Sequence, residues 1–398
     1  MKLTLQDLPI NGKKVLIRVD FNVPLNKDGT IADDTRIRES LPTIQYALQK
    51  GAGVILMSHM GRPKSKSEVQ FSLGICAKRL SQLISAPVLF SPDCLGKETE
   101  KMASELKGGQ VLLLENVRYY PAEENPSSDP NFAKELAKLG DFYVNDAFGT
   151  AHRAHSSTAK IAGYFPGKAA MGFLIQKEIA HLKPLLENPS HPFFVLIGGA
   201  KISSKIGVLK ALISKVDALY IGGGMAFTFL KAQGLDIGNS LFEETSLLEA
   251  QNLLAECKSR NIALHLPLDL IIADGFRNDA TYKTISTSEG IPPGWMGMDI
   301  GPQTIQAWSA DFQKASTLFW NGPMGVFEFS HFARGTHEMA KAISQLSTTT
   351  VVGGGDSVAA INNLSLADKF THVSTGGGAS LEYLELGHLP GIDALSDK

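Results

Sequence analysis

The chain has 398 residues, 43% hydrophobic and 20% charged, which suits a soluble globular protein with room for two domains. A formal net charge of −2 gives no whole-chain field for nucleic acid or a membrane surface, so neither is expected as a partner. Three widely spaced cysteines argue against a disulfide framework and for a reducing, cytoplasmic setting, and none has the CxxC or Cys/His surroundings of a zinc site. No signal-peptide pattern opens the chain, and no apolar run approaches the ~20 residues that cross a bilayer. The small net charge hides an asymmetry. Residues 1–170 carry 22 Lys+Arg against 18 Asp+Glu, and residues 171–398 carry 16 against 22. The first part is therefore the better host for an anion.

In chain order, near-continuous apolar runs at 15–21, 53–60, 86–91, 110–118 and 141–149 read as strands buried on both faces. Amphipathic patterns lie between them, such as "LPTIQYALQKG" (41–51) and "DPNFAKELAKLG" (129–140). Strand and helix in alternation predict a parallel sheet with right-handed crossovers. The stretch "MGFLIQKEIAHLKPLLENPSHP" (171–192) predicts a helix ending in a proline-rich segment, and the domain boundary is placed there. Further strands are expected at 193–197, 218–221, 262–266, 317–320, 349–352 and 371–374, with helices over "KISSKIGVLKALISKVD" and "ASLEYLELG".

Four of the later strands run into consecutive glycines: "VLIGGAKIS" from 195, "LYIGGGMAF" from 219, "VVGGGDS" at 351–357 and "VSTGGGAS" at 373–380. At the carboxyl edge of a parallel sheet such turns present backbone N–H groups at the positive end of a helix. One glycine turn is ordinary βα chemistry; four on one edge point to a phosphate-bearing ligand. There is no GxxxxGK[ST], no GxGxxG after a strand, and no HRD or DFG, so the binding scheme is none of those. Lys201 and Lys205, four apart after Gly198 and Gly199, are expected on one face of a helix near its start. An anion there would offset the repulsion between lysines and the helix dipole. Asp356 at the end of "GGGD" is a candidate Mg²⁺ ligand or a helix cap.

The first part supplies Asp20 and Asn22, "SHMGRP" with His59 and Arg62, Arg118, and "AFGTAHRAH" with His152, Arg153 and His155; Arg36 follows the first strand. In a parallel sheet these groups converge on one edge. Arginines and histidines there suit capture of phosphate and carboxylate.

Together the motifs closely resemble phosphoglycerate kinase. "RVDFNVP", "SHMGRP", "LLLENVR", "NDAFGTAHRAHSS", "GGAKISSKI", "GGGMAFTFL", "WMGMDIGP", "WNGPMGVFE", "GGGDS" and "STGGGASLE" stand in the family's order from about residue 10 to 395. The departures, "ENVRYYPAEE", "IPPGW" and "ADGFRNDA", touch no charged site group. The resemblance implies an α/β chain of two doubly wound, Rossmann-like parallel-sheet domains joined by a hinge helix. Residues 1–172 would bind 3-phosphoglycerate, with the tail 387–398 packed back on them. Residues 173–188 would form the interdomain helix, and 189–386 would bind MgATP or MgADP. The implied reaction is reversible phosphoryl transfer between ATP and the 1-carboxylate of 3-phosphoglycerate, giving 1,3-bisphosphoglycerate and ADP, with Mg²⁺ as cofactor.

Carried onto this chain, the substrate site is Asp20, Phe21, Asn22, Arg36, His59, Met60, Gly61, Arg62, Arg118, His152 and Arg153. The nucleotide site is Gly199, Lys201, Lys205, Gly222, Gly223, Gly297, Asn321, Glu328, Gly353, Gly354, Gly355, Asp356 and Ser357, with Glu328 on the ribose and Asp356 on the metal. Arg36, Lys201 and the backbone at Gly376, Gly377 and Gly378 would neutralise the transferring group. A monomer is expected. Two other readings compete: a nucleotide-binding protein without activity, which would not need Arg36 and Lys201, and a dehydrogenase, which the missing GxGxxG disfavours.

Overall fold

A computed structural model describes residues 1–398. The chain divides into two compact units. One comprises Met1–Ala180 with His388–Lys398, the other His181–Gly387.

The first unit is built on a six-stranded parallel sheet: β1 (Lys14–Arg18), β2 (Gly53–Met57), β3 (Val88–Phe90), β4 (Val111–Leu113), β5 (Phe142–Asn145) and β6 (Ala169–Met171), in the order β3-β4-β2-β1-β5-β6. Alternation along β1 explains why the strands read as unbroken apolar runs. Val15 and Ile17 join one core with Ile37, Ile44 and Leu80, while Leu16 joins the other with Leu112, Phe132 and Leu136. Each such aliphatic side chain, once buried, stabilises the unit by roughly 1.5–3 kcal/mol. The C-terminal segment belongs to this unit. Leu395 inserts into the second core, Asn145 Nδ2 donates to Gly391 O (2.9 Å), and Ser396 N donates to Ala169 O (3.0 Å).

The second unit carries β7 (Phe193–Ile197), β8 (Ala218–Ile221), β9 (Ala263–His265), β10 (Asp269–Ala273), β11 (Tyr282–Ser286), β12 (Met296–Ile300), β13 (Thr317–Asn321), β14 (Thr349–Gly353) and β15 (His372–Val373). Six of them form a parallel sheet in the order β15-β14-β13-β7-β8-β9; the other three form an antiparallel sheet, β11-β10-β12. In both parallel sheets the order reverses beside the first strand, between β1 and β5 and between β7 and β13. Ligands of doubly wound folds sit at such switch points.

The helix predicted at 171–192 runs over Phe173–Glu187, and the division between units falls inside it. Its start is held by Asp146 just beyond β5, whose Oδ1 accepts from Leu174 N (2.8 Å). No helix of the chain is long and apolar enough to cross a membrane.

Three expectations differ from the structure. The sheet β10–β12 and the strand β6 do not figure among the predicted strands. The helix expected from Lys201 onward begins only at Ile206, and Lys205 is its N-cap. Lys201 and Lys205 are therefore not a helical i,i+4 pair. The cause is local. Ser203 donates from N (3.1 Å) and Oγ (2.6 Å) to the Glu243 carboxylate, and Ser204 Oγ donates to Lys201 O (2.8 Å). These side chains offer the backbone partners that compete with the helix.

Candidate active site

In the first unit the expected groups gather beyond the carboxyl ends of β1, β2, β4 and β5. Asp20 is buried and accepts from Arg36 Nη1 at 2.6 Å, with His59 Nδ1 3.8 Å from its other oxygen. Burial alone would raise the Asp20 carboxyl; the Arg36 guanidinium first, with His59 and the Arg18 guanidinium beside it, outweighs burial, and the pKa lies below the ordinary range. Asn22 Oδ1 accepts from Gly61 N (2.8 Å), and Arg118 Nη1 donates to Gly61 O (2.8 Å). Gly61 has φ +59°, and a Cβ there would run into the Phe71 ring, so this bridge between the β1 and β2 loops requires glycine. Arg118 Nη2 also lies 3.2 Å from Glu124 Oε1.

Beyond β5, Arg153 Nε donates to His152 Nε2 (3.1 Å). Burial, then the Arg153 charge, lowers the His152 pKa. Arg118 Nε is buried with no partner in the protein, as a group that serves a ligand would be. Arg62 is exposed on the loop after β2. Phe21 and Met60, by contrast, put their side chains in the core and offer only backbone to the site: Phe21 N donates to Ser58 Oγ (2.7 Å), and Met60 O accepts from Asn116 Nδ2 (2.7 Å).

Three residues beneath this cluster went unread in the sequence. Arg18 is 1% exposed and donates from Nε to Ser157 Oγ (2.8 Å), from Nη2 to His59 Nδ1 (3.1 Å), and from Nη1 to Val19 O. Ser157 donates from Oγ (2.6 Å) and N (2.9 Å) to Glu123, which is fully buried. Burial lifts the Glu123 pKa against the pull of Arg18 and the two bonds from Ser157. The available signal was a lone arginine inside the apolar run "VLIRVDF": a charge in a two-faced buried strand must be paired.

In the second unit a cavity of about 220 Å³ opens beside β12 and β13. Phe227, Leu241, Phe276, Met296 and Val326 give it an apolar wall; Gly199, Gly223, Gly297, Glu328 and Asp356 also line it. This is a slot for a flat apolar ring with a carboxylate, exposed Glu328, at its rim. Lys205 donates to Asn321 Oδ1, and Asn321 Nδ2 is buried without a partner near Gly354. Burial lowers the Lys205 pKa to about 8, against the pull of Asp356. Lys201 is exposed.

The four glycine turns split into two kinds. Gly199 N donates to Pro323 O (2.9 Å), Gly222 N to Ile197 O (2.9 Å) and Gly223 N to Met324 O (3.0 Å), so these amides are already used. Gly223 has φ +65°, and a Cβ on it would crowd the Gly199 backbone and Pro323 O. These turns interlock. The turns after β14 and β15 open outward instead. A helix starts at Gly355 behind Gly354, and another at Gly378 behind Gly377, whose φ is +54°. Added methyls at Gly355, Gly377 or Gly378 would meet nothing within 4 Å. The first amides of a helix lack helical partners, which makes those of Gly355, Asp356 and Gly378 candidates for an anion, while Ala379 N already donates to Gly376 O (3.0 Å). Gly353 ends β14, Gly376 N donates to Ser374 Oγ (3.2 Å), and the hydroxyl oxygen of buried Ser357 accepts from Gly322 N (2.6 Å).

Comparison with known proteins agrees with this architecture. The family model described as phosphoglycerate kinase matches residues 5–387. A phosphoglycerate kinase of Koribacter versatilis (strain Ellin345) is 52% identical over 404 residues, covering 100% of each chain. A cytosolic phosphoglycerate kinase of Triticum aestivum is 52% identical over 397 residues, covering 99% of this chain and 98% of its own. The solved phosphoglycerate kinase from Coxiella burnetii superposes with a TM-score of 0.88 at 39% identity, covering 99% of this chain and 98% of that one. Full-length matches in both sequence and structure, at identities well above the range where only the fold is shared, mean that the chain belongs to the phosphoglycerate kinase family, which transfers a phosphoryl group reversibly between ATP and the 1-carboxylate of 3-phosphoglycerate.

Proposed function

We propose that the two units divide the reaction, the first holding 3-phosphoglycerate or 1,3-bisphosphoglycerate and the second holding ATP or ADP. The acceptor carboxylate is ionised at neutral pH, so no general base is required. Catalysis reduces to positioning two anions and neutralising charge on the transferring group. Asp20 orients Arg36 toward the reacting carboxylate and phosphoryl group, while Asn22, His59, Arg62, Arg118, His152 and Arg153 bind the remaining oxygens of the substrate.

On the nucleotide side, the base enters the apolar cavity and Glu328 takes the ribose hydroxyls. The phosphates run along Asn321, Lys205 and the turn 353–357. Lys201 and the amides at Gly377 and Gly378 meet the transferring group, while the Gly376 amide is held by Ser374 Oγ. Asp356 would suit Mg²⁺: it is an exposed carboxylate that lines the cavity, and one carboxylate together with nucleotide phosphates would be the usual setting for that ion. Bound there, the ion supplies charge neutralisation on the nucleotide phosphates. We further infer that the helix Phe173–Glu187 forms part of the hinge, that the chain acts as a monomer in the cytoplasm, and that neither nucleic acid nor membrane takes part.

The observation that carries this reading is the buried Asp20 paired with Arg36, set among Asn22, His59 and Arg118 at one sheet edge. Titration calorimetry of each ligand separately tests the division. Arg118→Met should abolish 3-phosphoglycerate binding and leave MgADP affinity within about twofold; Asp356→Asn should do the reverse. Loss of both ligands in either variant, with the fold intact, would overturn the assignment.

A further inference from the structure

We propose that Arg18 is a positioning residue that locks His59 in one tautomer, so that a neutral imidazole donates from Nε2 to the anionic substrate. The inference rests on the assignment of His59 to the 3-phosphoglycerate site and goes beyond it in naming the buried group that sets the histidine's proton.

The argument starts from hydrogen-bond chemistry. A guanidinium has five N–H donors and no acceptor. Arg18 Nη2 lies 3.1 Å from His59 Nδ1, so Nδ1 must accept and cannot carry a proton. The remaining proton belongs to Nε2, which has no partner in the protein. Asp20 cannot compete for Nδ1, because its nearest oxygen is 3.8 Å away and its other oxygen holds Arg36.

Arg18 is itself fixed on every side. At 1% exposure it reaches no substrate, and each of its three nitrogens is engaged, with Ser157 Oγ, Val19 O and His59 Nδ1. Ser157 relays it to the buried Glu123 carboxylate, which compensates its charge. This wiring has a purpose at an anion site. A freely titrating histidine would change charge within the physiological range and change substrate affinity with it. The groups that face His59 are Asp20, Arg18, Arg118 and Arg36. Burial, then Arg18, Arg118 and Arg36, hold it neutral against Asp20 alone. The site thus keeps a fixed set of guanidinium charges and one fixed directional donor.

Long-range ¹H–¹⁵N spectra of histidine-labelled protein, without substrate, test this directly. His59 Nδ1 should resonate as a pyridine-type nitrogen and Nε2 as pyrrole-type, with no titration between about pH 6 and 8. Pyrrole-type Nδ1, or an imidazolium in that range, overturns the proposal without any variant. Arg18→Met combined with Glu123→Gln removes the buried charges together. In it His59 should titrate within that window and exchange tautomers. The ratio of variant to wild-type KM for 3-phosphoglycerate should then climb severalfold from pH 6 to 8, because a cation that binds the anion is lost. Using the ratio cancels the substrate's own ionisation. A flat ratio, or a fall in kcat alone, would reduce Arg18 to a structural role and sink the proposal. Failure of 3-phosphoglycerate to bind the wild type would instead sink the site assignment and leave the tautomer result standing.

Discussion

The two half-sites solve the same problem with different materials. The first unit meets an anion with side-chain charges wired to one another: Arg36 to Asp20, Arg18 to His59 and Ser157, Arg118 to Gly61 and Glu124. The second meets one with backbone, at helix starts behind Gly354 and Gly377, beside an apolar cavity and few charges. Under the proposed division, the difference follows from the ligands. A small substrate with two anionic ends has nothing apolar to grip, so fixed charges must do the recognition. A nucleotide brings a base to bury and a chain of phosphates that successive amides can follow. Charge deletions should therefore damage the first site most, and added methyl groups the second.

The largest expected effect is Arg36→Ala. It should lower kcat by roughly 10²–10³, the scale of about 2.7–4 kcal/mol for one transition-state donor. A coupled assay reads it, and a loss below tenfold would break the charge-built account of the first unit. Next is Gly223→Ala. Positive φ and backbone crowding should together cost about 2–4 kcal/mol of stability. Denaturant unfolding of the second unit measures this.

Lys205 gives a pH signature. Its folded pKa near 8 lies below the unfolded 10.5, so the folded chain binds fewer protons between those values and stability rises with pH across that window. A phosphate beside Nζ would raise the pKa again. MgADP binding near pH 8 should therefore take up a fraction of a proton, read by calorimetry in buffers of different ionisation enthalpy; Lys205→Met should abolish the uptake. The smallest effect is Gly355→Ala, which adds a methyl to open space at ordinary φ and should change stability by less than about 0.5 kcal/mol. A weaker MgADP affinity in the same variant would show that phosphate comes as close to that backbone as proposed.

Much of this contrast is legible in the chain. The strands of both parallel sheets announce themselves as apolar runs, since both faces are covered, and the charged groups stand at their ends. What escapes has physical reasons. β11, "YKTIS", is an edge strand exposed over its first three residues and carries no apolar alternation, so it leaves little trace, whereas the central β10, "DLIIA", is a buried apolar run that the predicted strands passed over. β6 is three small or flexible residues, "AAM". The late start of the helix at Ile206 depends on Glu243, some forty positions away, reaching Ser203. The four glycine turns look alike in sequence, but whether a turn interlocks or opens is decided by Pro323 and Met324 from another loop. Arg18 was visible as a charge in an apolar run, yet its partner Glu123 lies 105 positions on, and only the fold brings them together through Ser157.

The central claim is that the first unit carries the acceptor and the second the nucleotide. ADP release from MgATP, with and without 3-phosphoglycerate, on the wild type and Arg36→Ala, tests it most directly, provided a coupling dehydrogenase drains the acyl phosphate. The account predicts release that requires 3-phosphoglycerate, falls about a hundredfold or more in the variant, and leaves MgADP affinity unchanged. Release independent of 3-phosphoglycerate, or MgADP affinity lost with Arg36, would contradict it.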